Sequence, residues 1–272
     1  MPPAPTLLTI AGFDPSSGAG ITADLQVFAA HGCFGTSAIT GLTVQSTTGV
    51  RRAEPVAADL LADTLACLQD DLPPLGIKIG MLAGASQVRV VAAHLRSLRA
   101  EDHRIHVVLD PVLRSSSGRE LLSPDGVRAL QQELLPLVDV VTPNTEELQV
   151  LTGIECATQD EIDAAMQTLA GQVPGVAIIA TGGHRTTPDD TLLQAGSFTL
   201  LRGTRVETTA THGTGCAFSS ALLCGLVVGN ALPDAARAAK TYVEGAMRLA
   251  EVRGAGKGPM NLLWPLSQQC LP

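Results

Sequence analysis

Positive charge is scarce in this 272-residue chain and is nowhere gathered into a patch: 18 Lys and Arg face 26 Asp and Glu, a formal net charge of −8. Tracking a nucleic-acid backbone needs clustered cations, so this balance argues against a nucleic-acid partner. Aromatics are scarcer still, with one Trp, one Tyr and five Phe, and the core must therefore be built from Ala, Val, Leu and Ile. Those residues are plentiful in a chain that is 45% hydrophobic. No apolar run reaches the roughly 18 residues that a membrane span requires, which argues against a membrane partner. The opening "MPPAPTLLTIAGFD" lacks the charged start and long apolar stretch of a signal peptide. Cys33, Cys67, Cys156, Cys216, Cys224 and Cys270 form no C-x-x-C pair and no zinc-ligand spacing. Free thiols in a reducing cytoplasm are the expectation. No Pro-, Gly- or Ser-rich linker and no internal repeat divides the chain, so one domain over residues 1–272 is expected.

What is present is an alternation. Short β-branched runs that end in Gly, Pro or Asn lie at 6–12, 76–80, 106–111, 139–144 and 175–183 and read as buried strands. Helical spacing covers 21–31, 59–69, 85–98, 124–135, 161–169 and 233–250. This predicts an α/β fold, a mostly parallel sheet with helices on both faces. Residues 191–209 break the rhythm and read as two strands joined through Arg202 and Gly203, an antiparallel edge. Ligands of such sheets bind beyond the carboxyl ends of the strands, so those ends are where function is sought.

The stretch "THGTGCAF" (211–218) precedes an apolar run, "SSALLCGLVVG", that reads as a buried helix. Its glycines allow a tight turn, and the helix start aims free N–H groups and positive dipole at the same spot, which suits a phosphate. Cys216 would sit inside that site. Its position at a helix start beside His212 predicts a lowered thiol pKa. A Cys–His nucleophile is the rival reading, though the Gly-Thr-Gly wrapping fits phosphate better. "AGFDPSSGAGITADL" (11–25) is a glycine-rich loop that is neither a Walker A loop nor G-x-G-x-x-G. Within it Asp24 either faces the pocket or balances a helix dipole. Gln45, in "LTVQSTTGV", is an ordinary strand end or an amide that pairs with a heterocycle, since a carboxamide donates and accepts at once. "TPNTEEL" (142–148) reads as a capping box of Asn144 and Glu147, or as oxygens near a hydrated magnesium ion. Asp110, in "LDPVLRSSSG", ends an apolar strand at the functional edge. The other histidines, His31, His94, His103 and His106, read as surface or packing residues, with His184 of "TGGH" the exception.

Together these motifs resemble the hydroxymethylpyrimidine/phosphomethylpyrimidine kinases of thiamine biosynthesis, a vitamin-kinase branch of the ribokinase-like superfamily. The resemblance runs over nearly the whole chain, through "TIAGFDPSSGAGITADL", "VQSTTGV", "KIGMLA", "VLDPVL", "TPNTEE", "GGH", "THGTGCAFSSAL" and "GKGPMN". It implies a ribokinase-like sheet with no separate lid domain, ATP as phosphoryl donor, and Mg2+. The pyrimidine would lie among Gly12, Asp24, Gln45 and Met81, with Gln45 reading the ring's amino and nitrogen edge. Asp110 and Glu147, with Asn144, would organise the metal. Asn144, Thr181, Gly183 and Thr211 would line the nucleotide side. Gly213, Thr214, Gly215 and Cys216 would form an anion hole, with Cys216 where sugar kinases carry an aspartate base. Thr181 stands where the family usually has lysine, Leu262 where it often has histidine, and Phe13 where it has a small or hydroxylated residue. The implied reaction phosphorylates the pyrimidine alcohol to its monophosphate and then its diphosphate. A pyridoxal kinase and a catalytically weak pyrimidine-binding sensor are the alternatives, and a homodimer is the expected assembly.

Overall fold

The computed structural model describes residues 3–101, 105–115, 117–183 and 187–267. A nine-stranded sheet runs through it in the order β3-β2-β1-β4-β5-β6-β7-β8-β9. The centre is parallel: β2 (Phe34–Ser46), β1 (Thr6–Phe13), β4 (Gly76–Ile79), β5 (His106–Leu109), β6 (Val140–Val141) and β7 (Ala177–Ala180). Of these, β1, β4, β5, β6 and β7 are buried almost without alternation because helices cover both faces. On one face Leu8, Ile77, Val107 and Ile178 join one core, and on the other Leu7, Val108, Val140 and Ile179 join a second. The first core is closed by α2 (Ala58–Asp71), α3 (Ala85–Ala100) and α6 (Gln159–Gln172). The second lies under α1 (Gly20–Ala30), α7 (Thr214–Val227) and α8 (Leu232–Arg248). Among the described residues no helix is long and apolar enough to cross a membrane.

Both edges are antiparallel, and both depart from the sequence reading. β3 (Gly49–Pro55), for which the sequence offered no strand, pairs with β2 as a hairpin. Its sequence "GVRRAEP" is mostly exposed, so it carried no apolar signal. At the other edge the expected antiparallel pair forms, but as β8 (Asp190–Gln194) and β9 (Ser197–Leu201), so the connection is not Arg202–Gly203. Ala195 and Gly196 make the turn with φ of 48° and 78°, the paired left-handed conformation that a two-residue hairpin demands. The helix expected over 124–135 begins as α4 (Pro124–Ala129), widens into a π-turn over Leu130–Leu134 and tightens to 3-10 geometry over Leu135–Leu137. Pro136 in that last turn has no N–H with which to continue an α-helix.

Candidate active site

The parallel strands end at one level, and the site is built there. Gly80 donates to Ile10 O (2.9 Å) and Asp110 to Ile79 O (2.8 Å), so the chains leaving β4 and β5 remain tied to their neighbours for one more residue. Over these ends stands the start of α7. Gly213 takes φ 80°, and a side chain there would run into the carbonyl oxygen of Gly18. The first helical bond of α7 is donated by Ala217 to Gly213 O (2.9 Å). The amides of Thr214, Gly215 and Cys216 therefore lie ahead of the helix ladder, and no side chain caps the helix. A Cβ on Gly215 would come within 3.4 Å of Asp110 Oδ2, so the acid faces this crown of N–H groups directly.

Beneath the crown lies a fully enclosed ion pair. Lys78 Nζ sits 3.0 and 2.9 Å from the two carboxylate oxygens of Asp24, and neither side chain has exposed surface. Thr9 (2.6 Å) and Ser220 (2.8 Å) donate to the same carboxylate. This corrects both expectations for Asp24. Its oxygens are occupied by Lys78, Thr9 and Ser220, so it forms no pocket wall, and it lies beyond the first turn of α1, too far along to balance the dipole. Burial works against the Lys78 charge, but Asp24, with Cys216 and Asp110 beyond it, outweighs burial and raises the lysine pKa.

The expectation for the Cys216 thiol is also reversed. Burial pushes its pKa up to about 12; Lys78 opposes the shift, while the charges of Asp110 and Asp24 add to it. The helix start is there, but the nearest full charges are two acids and one lysine already paired. His212 turns elsewhere, toward Asp14 and Gln45. Asp110 is itself raised to about 6 by burial, against the pull of Lys78, while the Cys216 and Ser219 side chains favour its charged form.

Asn144 and Glu147 make the capping box in full: Asn144 N–H donates to Glu147 Oε2 (2.9 Å), and Glu147 N–H to Asn144 Oδ1 (2.9 Å), at the start of α5 (Thr145–Thr152). The buried Glu147 has a second property that a cap does not need. Burial and then the charge of Asp110 push its pKa well above the usual carboxylate range. Two acids held within each other's field make a hard-oxygen donor pair that a divalent cation would relieve, and in this respect the residues fit magnesium. Among the described residues no group of three or more His, Cys, Asp or Glu could hold a metal. An ion here would keep most of its shell in water and phosphate oxygens, as magnesium commonly does.

Of the residues expected to hold the pyrimidine, Gly12 and Met81 meet: a Cβ on Gly12 would lie 2.9 Å from the Met81 sulfur. Gln45, half-buried near the end of β2, lies 2.9 Å from His212 Nε2, which lies 2.7 Å from Asp14 Oδ2. Of the residues expected to line the nucleotide, Asn144 and Thr181 form a parallel bridge, and Thr181 N–H donates to Pro143 O (2.9 Å). Gly183 is exposed, and His184 lies outside the described residues. Thr211 is fixed from behind by "GKGPMN", since His212 N–H donates to Gly258 O (3.1 Å) and His212 bridges to Pro259. Leu262 is buried, and its carbonyl accepts the Tyr242 hydroxyl.

A profile of the phosphomethylpyrimidine kinase family matches residues 14–261 of the chain. The chain belongs to that family. The hydroxymethylpyrimidine/phosphomethylpyrimidine kinase of Rhizobium meliloti is 40% identical over 259 residues, covering 93% of this chain and 95% of the relative. Among solved structures, the phosphomethylpyrimidine kinase of Clostridium difficile is 31% identical with a TM-score of 0.75, covering 88% of this chain and 97% of that one. The pyridoxal kinase of Staphylococcus aureus, in complex with AMP-PCP and pyridoxal, is 25% identical with a TM-score of 0.84, covering 96% and 94%. The resemblance of the motifs is thus borne out, in the ribokinase-like fold and in the activity: this is a kinase of thiamine biosynthesis.

Two residues of this phosphomethylpyrimidine kinase escaped sequence reasoning. Lys78 left a signal, because a lysine inside the apolar run "GIKIG" must find an acid when that strand is buried. Asp14 left none beyond its place in a turn. It accepts from Ser16 N–H (2.8 Å), Ser16 Oγ (2.7 Å) and Ala19 N–H (3.0 Å), and so gives the glycine-rich loop its shape. Burial raises its pKa, but His212 and Ser16 outweigh burial and hold it below the ordinary value.

Proposed function

We propose that this kinase transfers the γ-phosphoryl of ATP to the hydroxymethyl oxygen of 4-amino-5-hydroxymethyl-2-methylpyrimidine, and then a second phosphoryl to the monophosphate so formed. The observation that carries this reading is the crown of free amides at Gly213–Cys216 standing over Asp110, at the same sheet edge as Gly12, Gln45 and Met81. Phosphoryl transfer has a loose transition state, so the protein's task is to position the reactants and spread negative charge. Backbone N–H groups fixed before the reaction do this without reorganising. Magnesium, held by Asp110 and Glu147, would neutralise charge on the transferring phosphate. ATP as donor is supported by the family and by the AMP-PCP complex of the Staphylococcus aureus relative.

The two steps differ in one respect. The first nucleophile is a neutral alcohol that must lose a proton, whereas a phosphate monoester is already an anion, its second pKa being about 6. Cys216 takes the place of a base but is a neutral thiol in the free protein; Asp110, whose charge acts on it, has the pKa nearer neutrality. Asn144, Thr181, Gly183 and Thr211 form the nucleotide side in this reading. We also propose a homodimer, for which the half-exposed Leu42 and Val44 on β2 offer apolar surface, and a cytoplasmic home, supported by the unbridged Cys33, Cys67, Cys156, Cys216 and Cys224.

The test is a substrate panel with ATP and magnesium, followed by 31P NMR. The pyrimidine alcohol should give monophosphate and then diphosphate; no phosphorylated pyrimidine at all would sink the proposal. The likeness to a pyridoxal kinase favours one second reading, and pyridoxal belongs in the same panel. A larger kcat/KM for pyridoxal than for the pyrimidine alcohol would establish it.

A further inference from the structure

The contacts around Gln45 contain a contradiction whose resolution fixes what that side chain presents to substrate. Asp14 accepts from Ser16 N–H, Ser16 Oγ and Ala19 N–H, so it is an ionised acceptor. Its 2.7 Å contact with His212 Nε2 then requires the proton on that nitrogen. A nitrogen that carries a proton cannot accept, yet the Gln45 amide nitrogen stands 2.9 Å from it. The far end of the amide repeats the problem. Thr43 Oγ1 has one hydrogen, and it has two acceptors within reach, Phe13 O at 3.0 Å and Gln45 Oε1 at 3.2 Å.

Turning the amide end for end removes the donor-against-donor contact at His212 and leaves the Thr43 hydrogen to Phe13 O alone. The two ends of a carboxamide have nearly the same shape, and only the hydrogen-bond network tells them apart. Oxygen then shares the single His212 Nε2–H with Asp14 Oδ2 in a three-centre bond, the amide N–H donates to Thr43 Oγ1, and Thr43 donates to Phe13 O. No donor then faces a donor. The amide keeps one oxygen lone pair on the His212 side and one N–H on the Thr43 side for a ligand.

We infer that Asp14 and His212 are positioning residues that fix which way round the Gln45 amide stands, and that the kinase thereby selects an aminopyrimidine over the corresponding oxopyrimidine. The amino form presents a donor beside a ring-nitrogen acceptor, which matches the fixed order of oxygen and N–H. The 4-oxo form presents the reverse, an acceptor beside a ring N–H, and sets donor against donor and acceptor against acceptor. This inference rests on the proposed contact between Gln45 and the pyrimidine ring.

The experiment compares kcat/KM for 4-amino-5-hydroxymethyl-2-methylpyrimidine with that for its 4-oxo analogue. The parent enzyme should favour the amino form by about tenfold or more, the cost of one mismatched buried hydrogen-bond pair. Asp14→Asn keeps both Ser16 bonds with its NH2 in the place of Oδ2, gives up the bond from Ala19 N–H, turns the imidazole nitrogen into an acceptor and releases the amide to reverse. The amino-over-oxo ratio should then fall by about tenfold or more, through the KM values, with the KM for ATP unchanged. His212→Gln puts an N–H near the place of Nε2 and should preserve the parent ratio. Thr43→Val frees the other end of the amide while leaving every Asp14 contact in place and should also lower the ratio, which decides the matter if Asp14→Asn does not fold. A parent-like ratio in Asp14→Asn, or in Thr43→Val where that variant decides, would overturn the inference. Gln45→Leu separates it from its premise: an unchanged pyrimidine KM there removes the Gln45 contact itself, whereas a raised KM with parent-like ratios removes only the positioning role.

Discussion

Replacing Asp110 by asparagine should make this kinase more stable and nearly inactive. Burial lifts the Asp110 pKa from 3.8 to about 6 even with Lys78 pulling the other way. The folded protein therefore holds a proton that the unfolded chain has released between those two values. Stability falls as pH rises through that window, and above about pH 6 the whole cost of the buried charge is present. Two units correspond to about 3 kcal/mol. Asparagine has the same shape and no charge, and it removes the second-largest cause of the raised Glu147 pKa as well. At pH 7.5 the variant should gain up to about 3 kcal/mol, or roughly 5–10 °C in Tm for a chain of this size. Near pH 4 both proteins carry a neutral group there, and the gain should vanish. Phosphoryl transfer should drop by about a hundredfold or more, since a preorganised charge facing the reaction is gone. Thermal melts at the two pH values and product formation at pH 7.5 measure both sides. An unchanged melt at pH 7.5, or an equal gain at pH 4, would refute the reasoning.

Lys78→Met should leave Asp24 enclosed with only Thr9 and Ser220, a loss of about 3–5 kcal/mol by chemical denaturation, and adding Asp24→Asn should recover much of it. Glu147→Gln should keep the cap, since glutamine serves in a capping box, while raising the magnesium concentration needed for half-maximal rate; a lower Tm with unchanged metal dependence would leave Glu147 a cap alone. At pH 8 the raised Cys216 pKa cuts the thiolate fraction about a thousandfold relative to an ordinary thiol, and the greater nucleophilicity of a basic thiolate returns about 15–30-fold. Its reaction with an aromatic disulfide should thus run at least about thirtyfold slower than that of N-acetylcysteine, read by peptide mass spectrometry, and an equal rate would contradict the burial argument.

The strands of the sheet's centre were legible because β1, β4 and β5 are buried on both faces and show as unbroken apolar runs. β3 was not, because an exposed edge strand has no face to bury and "GVRRAEP" has no period to detect. Within the site, what backbone chemistry dictates could be read in advance: the glycine turn before α7, the acid at the end of β5, and the capping box of α5. What depends on a partner far along the chain could not. Asp24 was misread because its neighbours in sequence are the glycine-rich loop, while its partners in space are Thr9, Lys78 and Ser220. Cys216 was misread for the same reason: the local sequence offers a helix start and a histidine, while the field at the sulfur comes from residues 78, 110 and 24.

The Gly18 carbonyl lies where a Gly213 side chain would be, and the Gly12 carbonyl lies in the same relation to Gly20. The loop that follows β1 and the turn that opens α7 are therefore seated backbone against backbone at Gly18 and Gly213, and the His212 side chain ties them again through Asp14. Neither can lift away while the other stays in place. In amide hydrogen exchange, the Ala19 N–H, held by Asp14, and the Ala217 N–H, held by Gly213, should report one shared opening rather than two. If they do, the kinase passes through no state with one segment seated and the other lifted: the two assemble, and are lost, together.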